Sequence, residues 1–363
     1  MIILNGNYGE GGGQILRTAL AYSTILQKAF EINDIRKGRE NPGLKNQHLY
    51  CIKALRKFCD SAAEGDELGS LSLKYWPKKF IGRNVEIDVE TAGSITLLMQ
   101  SVLLPSMFAG KPFTITLIGG TDVSWSPSFD YFNNVLLPQL QRFCRIEARI
   151  LKRGYYPKGN GKIEIKFNQS FKLIDFDSFG GFVEKLSGSV PKYDLTEQHN
   201  LIQIKGISHA SKDLQQARVS ERQSHSAQKT LARKFNVPIS IKSEYHDTLS
   251  IGSGITLWAI FSKRRDDIDE KNPIRIGSDS LGERGKKAET VGEECAMELI
   301  KEMESKAPAD RHLADQLLPF MALLPGSKIR TSEITQHSLT NIYTIEQFLG
   351  KKFEVDGDII SVL

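Results

Sequence analysis

The stretch QSVLLPSMFAGKPFTITLIGGTDV (residues 100–123) has a counterpart in ADQLLPFMALLPGSKIRTSEITQH (residues 314–337). Each carries Leu-Leu-Pro-x-Met, at Leu103–Met107 and at Leu317–Met321. Each then breaks, at Gly110-Lys111 or at Pro325-Gly326-Ser327-Lys328, and enters an alternating strand. The spacing between the copies stays at 214 residues. Self-similarity at one spacing across helix, break and strand marks a repeated supersecondary unit.

The N-terminal part echoes the same plan at a spacing of about 83 residues. A helix pattern from Ile15 to Leu26 leads through Gln27-Lys28 into the strand FEINDI (30–35). HLYCIKALRKFC (48–59) ends in Lys57-Phe58-Cys59, and YFNNVLLPQLQRFC (131–144) ends in Arg142-Phe143-Cys144. Three copies of a βαβαββ unit follow. The first spans roughly 1–80, and the second runs from the strand at 84 to the strand near 167. The third is split: its helices lie at 313–324 and 339–349, after a long intervening segment. That segment has strand patterns at 201–208, 237–245, 255–263 and 273–278, and helix patterns at 215–234 and 287–305. The predicted fold is α+β, built from three α/β repeats around a pseudo-threefold axis. Residues 1–190 and 306–363 form the core, and residues 191–305 form a small inserted α+β domain. The loop SKRRDDIDEKNP (262–273) reads as a solvated charged turn.

Composition bounds the partners. The chain has 363 residues, 40% hydrophobic and 25% charged, with net charge +5 and pI about 8.8. That mild basicity allows an anionic partner without requiring one. No apolar run reaches eighteen residues, so no membrane span is expected. No basic region precedes an apolar core at the N-terminus, so a cytoplasmic protein is expected. Cys51, Cys59, Cys144 and Cys295 lack CxxC spacing, which argues for reduced, buried thiols and against a zinc site.

The candidate chemistry starts at NYGEGGGQILRTALAYS (7–23), a glycine-rich loop running into a helix. No Gly-Lys-Ser/Thr follows, and Gly9, Gly11, Gly12 and Gly13 are not spaced GxGxxG. One reading is a turn that needs positive φ. The other is a phosphate cradle of backbone N–H groups at a helix start. In that second reading the carboxylate of Glu10 needs a cation, and magnesium typically takes one or two carboxylates plus substrate phosphates.

IRKGRENPGLKNQHL (35–49) places Arg36, Lys37 and Arg39 beyond a strand end, with Gln47-His48 opening a helix. Clustered arginines suit phosphate recognition, and equally a solvated basic loop. In the repeat register, Arg36–Arg39, GGTD (119–122) and ITQH (334–337) occupy the same place, so the three loops are expected to converge. His337 reads either as a structural histidine or as a nucleophile, with TQHSLTNI supplying partners that fix one ring nitrogen. His312, Asp315 and Gln316, within one turn at a helix start, suit a nucleotide base or ribose.

GNYGEGGGQILRTAL, RKGRENPGLKNQHL, GGTD, RGYYPKGNG (153–161), HLADQLLPFMAL and QHSLTNIYTIEQFL resemble, in order, the motifs of the RNA 3′-terminal phosphate cyclases. The resemblance covers both ends and the middle of the chain and is weakest over the insertion. It implies the three-repeat fold, and a reaction in which ATP forms a histidine–AMP intermediate, AMP passes to an RNA 3′-phosphate to give RNA(3′)pp(5′)A, and the vicinal 2′-OH expels AMP to leave a 2′,3′-cyclic phosphate. It implies His337 as the adenylated nucleophile and Glu10 as a contact to Mg2+ or Mn2+. Gln14, Gln100, Pro127, His312, Leu313, Ala314, Asp315 and Gln316 match ATP-binding positions. Arg17, Arg36, Arg39, Gln47 and His48 match substrate-facing positions. His312 stands where bacterial members tend to carry tyrosine, and either ring can stack on adenine.

The implied partners are ATP and RNA with a 3′-phosphate, with no membrane, and the sequence leaves a homo-oligomer open. Two alternatives stand beside this ligase-type nucleotidyl transfer enzyme. A catalytically inactive cyclase-like ribosome-assembly protein would lack the histidine at 337. An enolpyruvyl transferase shares similar repeats but needs no histidine nucleophile.

Overall fold

The computed structural model describes residues 1–264 and 268–363, so residues 265–267 of the charged loop lie outside the described residues. Strands β1 (Ile2–Asn5), β2 (Phe30–Asn33), β3 (Ala62–Glu64) and β4 (Leu73–Trp76) form a sheet of order β1-β2-β4-β3, in which β1–β2 is parallel and the other pairs antiparallel. Strands β5 (Val85–Asp88), β6 (Phe113–Gly119), β7 (Cys144–Lys152) and β8 (Gly161–Gln169) repeat this connectivity as β5-β6-β8-β7.

The third sheet opens with β9 (Asp194–Leu195). A fourth sheet then intervenes, made of β10 (Asn200–Ser211), β11 (Ile239–His246), β12 (Ser253–Ser262) and β13 (Ile274–Leu281), in the order β11-β10-β12-β13. The third sheet resumes with β14 (Lys328–Arg330), β15 (Phe353–Asp356) and β16 (Ile359–Val362), in the order β9-β14-β16-β15 with β9–β14 parallel. Three sheets therefore share one connectivity. The span 191–305 contributes β9 to the third of them before the fourth sheet begins at Asn200. Helices Val219–Ala232 and Ala288–Glu304 pack on the fourth sheet and on each other.

Two of the helices that carry the candidate site are central and almost wholly covered, polar side chains included. Helix Gln14–Leu26 buries twelve of its thirteen residues, and helix Ile95–Met107 buries eleven of thirteen. The polar side chains among them are buried with the rest, so they need partners inside the fold. Here the first packs against the second and against helix Gln336–Leu349. The repeated Leu-Leu-Pro-x-Met has a local consequence. Pro105 and Pro319 sit in the last turn of their helices, which end at Met107 and Met321. A proline has no N–H to donate to the carbonyl four residues back, so each helix gives up one backbone bond just before it ends.

Polar ties fix the helices to one another. Tyr22 Oη donates to the Pro319 carbonyl at 2.7 Å, and Thr18 Oγ1 donates to Asn341 Oδ1 at 2.6 Å. Asn341 Nδ2 in turn donates to the Asp315 carbonyl at 2.8 Å. Buried groups so paired rigidify the packing around them. The four cysteines are free and buried, as expected. Among the described residues, no helix is long and apolar enough to cross a membrane.

Candidate active site

The glycine loop has the backbone that its sequence requires. Gly9 and Gly11 sit at φ +57, a left-handed conformation in which glycine meets no Cβ penalty. At Gly13 the reason is space. A Cβ there would meet His48 Nε2 at 2.1 Å and Arg17 Nη1 at 3.0 Å, so two side chains occupy the room that a larger residue would need. Gly13 is also the N-cap of helix Gln14–Leu26, with no side-chain cap, which leaves the first N–H groups of that helix without side-chain partners.

Arg17 is buried, and its Nε donates to Gln100 Oε1 at 2.7 Å, joining the first helix of repeat one to that of repeat two. Burial lowers its pKa, with the neighbouring Arg36 adding to the effect and Asp315 opposing it. Arg39 Nη2 donates to Glu10 Oε2 at 2.9 Å. Glu10 Oε1 lies 3.8 Å from His337 Nε2. His337 is half-exposed, near the start of helix Gln336–Leu349, and its pKa is lowered, first by burial. Glu10 pulls the other way, while Arg17, His312 and Arg39 push with the burial. The imidazole is therefore held neutral at neutral pH, its nucleophilic form.

The neighbours of His337 do not fix its ring as the sequence suggested. Thr335 caps the helix by accepting from the Ser338 N–H at 3.1 Å, and Asn341 ties helices together. Thr340 Oγ1 is buried against Gly9 without a hydrogen-bond partner. Neither ring nitrogen of His337 hydrogen-bonds among the described residues. These polar residues serve the cap and the packing instead.

His48 is buried, and its Nδ1 accepts from the Lys45 backbone N–H at 2.9 Å at the start of helix Asn46–Arg56. Because a backbone N–H can only donate, the neutral ring carries its proton on Nε2, the atom packed over Gly13. Burial, then Arg17, Arg36 and Lys45, push its pKa down to about 3. Gln47 Nε2 donates to the Ser94 carbonyl at 2.9 Å. Arg36 sits at φ +55, its Nη2 donates to the Asn41 carbonyl at 3.3 Å, and its buried Nε has no partner.

Helix Arg311–Met321 supplies the remaining residues. Asp310 caps it by accepting from the N–H groups of His312 and Leu313. The same carboxylate accepts from Tyr131 Oη at 2.6 Å and from the Gly277 N–H at 2.9 Å, so one buried group joins repeat two, the fourth sheet and this helix. His312 is exposed, Leu313 and Ala314 are buried, and Gln316 Nε2 donates to the His312 carbonyl at 2.9 Å. Asp315 is buried, and burial, then Asp310, raises its pKa well above the carboxylate range, with Glu10 adding and Arg17 opposing. Gln14 is buried at the start of its helix, and the Pro127 carbonyl accepts from Thr96 Oγ1 at 2.7 Å.

The family model described as RNA 3′-terminal phosphate cyclase matches residues 8–355. The chain belongs to the RNA 3′-terminal phosphate cyclase family. It is 41% identical to an RNA 3′-terminal phosphate cyclase of Pyrococcus furiosus, over 99% of this chain and 96% of that one. It is 40% identical to one of Methanosarcina acetivorans, over 98% and 97%, and 39% identical to one of Archaeoglobus fulgidus, over 100% of both.

In this cyclase-family chain the loop register does not carry over whole. Arg39 and His337 do meet, through Glu10. Asp122 of GGTD instead joins a buried cluster. Arg153, fully buried, donates through Nη1 to Asp122 Oδ2 at 3.1 Å and through Nη2 to Asp130 Oδ2 at 2.7 Å. His209 Nε2 lies 3.3 Å from Asp122 Oδ1, and His209 Nδ1 hydrogen-bonds Tyr155 Oη at 2.8 Å. Asp122, Asp130 and His209 have metal-ligand spacing, but the Arg153 guanidinium already bridges both carboxylates, and the cluster reads as an ionic clasp between repeat two and the fourth sheet. Arg153 stands in the sequence only as the first residue of RGYYPKGNG, without a role, and Asp310 is not singled out there. Alanine-Asp310 immediately before a periodic apolar run is a helix N-cap signal that could have found the second.

Proposed function

We propose that this chain cyclises RNA 3′-terminal phosphates at the expense of ATP, with His337 as the nucleophile. The observation that carries the reading is His337 itself: half-exposed, unbonded at both ring nitrogens, depressed in pKa, and ringed by Glu10, Arg39 and Arg17.

The neutral imidazole forms a P–N bond to the α-phosphorus of ATP, and the bond to pyrophosphate breaks. An oxygen of the RNA 3′-phosphate then bonds that phosphorus as the P–N bond breaks, giving RNA(3′)pp(5′)A and freeing His337. Finally the 2′-OH bonds the 3′-phosphorus, its proton is lost, and AMP leaves. Arg17 and Arg39 stabilise charge on the transferring groups, and the helix start beyond Gly13 offers N–H donors. His48, fixed as an Nε2–H donor, faces that same loop. Arg36 and Gln47 complete the substrate side. Gln14, Gln100, Pro127 and residues 312–316 form the ATP side, with the exposed His312 ring free to stack on the base.

Glu10 fits a hard divalent cation delivered with ATP, because it offers one carboxylate beside the uncapped helix start at Gly13 and phosphates supply the remaining oxygens. Bound there, Mg2+ or Mn2+ would neutralise charge on the departing pyrophosphate. The three like-connected sheets support a pseudo-threefold core of 1–190 and 306–363 completed by β9, with the inserted domain following from Asn200. A cytoplasmic location fits the substrate.

The test is α-labelled ATP with magnesium and no RNA. Wild type should take up acid-labile, alkali-stable AMP, and His337→Ala should take up none. Labelling that survives in His337→Ala overturns the mechanism. Glu10→Ala should need more magnesium or manganese for the same AMP uptake, and an unchanged metal titration removes Glu10 from that role.

A further inference from the structure

Two rings stand out of the surface where the ionic clasp joins two loops. Trp125 is 98% exposed and Tyr156 is 76% exposed, the two most exposed large hydrophobic side chains among the described residues. Their loops are tied together beneath them. The Thr121 N–H donates to the Gly154 carbonyl at 2.9 Å, the Gly154 N–H donates to Thr121 Oγ1 at 2.9 Å, and Arg153 binds Asp122.

Neither ring hangs on a loose strap. The Trp125 loop is closed by Ser126 Oγ donating to the Val123 carbonyl at 2.9 Å and by the Phe129 N–H donating to the Thr121 carbonyl at 3.0 Å. The Ser128 N–H donates to Asp279 Oδ2 at 2.9 Å. Trp125 itself is held at φ +64, where a bulky residue is strained. Strain and full exposure at one rigid position are two costs without a return inside the fold, the usual mark of a ligand contact.

The surroundings say which ligand. Trp125 lies at the edge of a cavity of about 210 Å³ between its loop and β13, lined also by Ser126, Ser128, Asp279 and Lys286. Asp279 is close enough to His312 for their charges to interact, and His312 is likewise close to His337. The cavity thus shares Asp279 with the electrostatic surroundings of His312. The rings are flanked by Ser124, Ser126 and the exposed Lys158, which forms no ion pair among the described residues. Isolated rigid aromatic faces with a free cation match single-stranded nucleic acid, whose bases stack on them and whose phosphates seek the charge. A protein interface would want a contiguous apolar centre.

We propose that Trp125 and Tyr156 form a stacking platform for bases of the single-stranded RNA end, with Lys158 meeting its backbone. This rests on the cyclase reading above. The test uses the full chain and a single-stranded RNA oligonucleotide ending in a 3′-phosphate. It measures direct binding by anisotropy, the KM for RNA in cyclisation, and AMP uptake from ATP without RNA. Trp125→Ala should weaken binding and raise the KM roughly five- to hundredfold, and Trp125→Phe should restore most of it. RNA should quench tryptophan fluorescence in wild type, and Trp125→Phe should lose that quench.

Unchanged RNA binding and KM in Trp125→Ala would sink the platform. So would an equal loss in AMP uptake, which would give the ring to ATP, or a changed oligomeric state with intact RNA binding, which would give it to a protein contact. If wild type takes up no AMP, the cyclase reading fails, and the binding arm still judges the platform by itself.

Discussion

Glu10 Oε1 stands 3.8 Å from His337 Nε2, and the other oxygen of the same carboxylate accepts from Arg39 at 2.9 Å. One residue from the first loop of the chain thus bridges an arginine of repeat one and the candidate nucleophile of repeat three. Its charge works on the imidazole in a definite direction. Burial lowers the His337 pKa from 6.5, and Glu10 resists that fall.

The pH profile of AMP uptake should report this. Uptake needs neutral His337, so its acid limb should fall below pH 6.5. Glu10→Gln removes the charge that favours imidazolium, so the pKa drops further and the acid limb should move to lower pH, even as the plateau rate falls through weakened metal binding. An acid limb that stays where it is in Glu10→Gln would show that the carboxylate does not act on this imidazole.

The ionic clasp makes a stability prediction. Burial opposes the charge of Arg153, but Asp130 and Asp122 outweigh it and hold the guanidinium charged. Arg153→Met would leave both buried carboxylates without their cation. Removing one partner of a buried pair costs about 3–5 kcal/mol. Denaturant unfolding at neutral pH should show a loss of that order. Arg153→Met with Asp122→Asn should recover part of it, since one uncompensated charge is then gone, and a double variant no better than the single would argue that Asp122 is not part of the pairing.

The repeated Leu-Leu-Pro-x-Met strings made the fold legible, because a proline near a helix end and a glycine break before a strand are local signals that survive divergence. The reactive residues were legible for the same reason: glycines at positive φ and arginines on a short loop are local. What sequence spacing could not convey is which loops meet. Arg39 and His337 meet because Glu10 stands between them. Asp122 occupies the same register, yet it turns to Arg153 and His209, a choice made by packing against the fourth sheet. Strand β9, two residues long, carries too little pattern to be seen at all, and only its pairing with β14 gives it away. Trp125 was invisible because nothing in VSWSP announces a ring left in water.

His48 ties the site to acid stability. Its pKa is pushed down to about 3 in the fold, against 6.5 when free. Between those values the unfolded chain binds a proton at this residue that the folded chain does not. Stability from His48 is therefore full above pH 6.5 and is lost as pH falls toward about 3, with a slope of up to about 1.4 kcal/mol per pH unit. His48→Asn keeps an oxygen where Nδ1 accepts from the Lys45 N–H, so the helix cap survives while the titration disappears. Denaturant midpoints measured from pH 7 to pH 4 should fall less steeply in His48→Asn than in wild type. Parallel curves for the two proteins would mean that His48 takes up its proton in the fold as readily as in the unfolded chain.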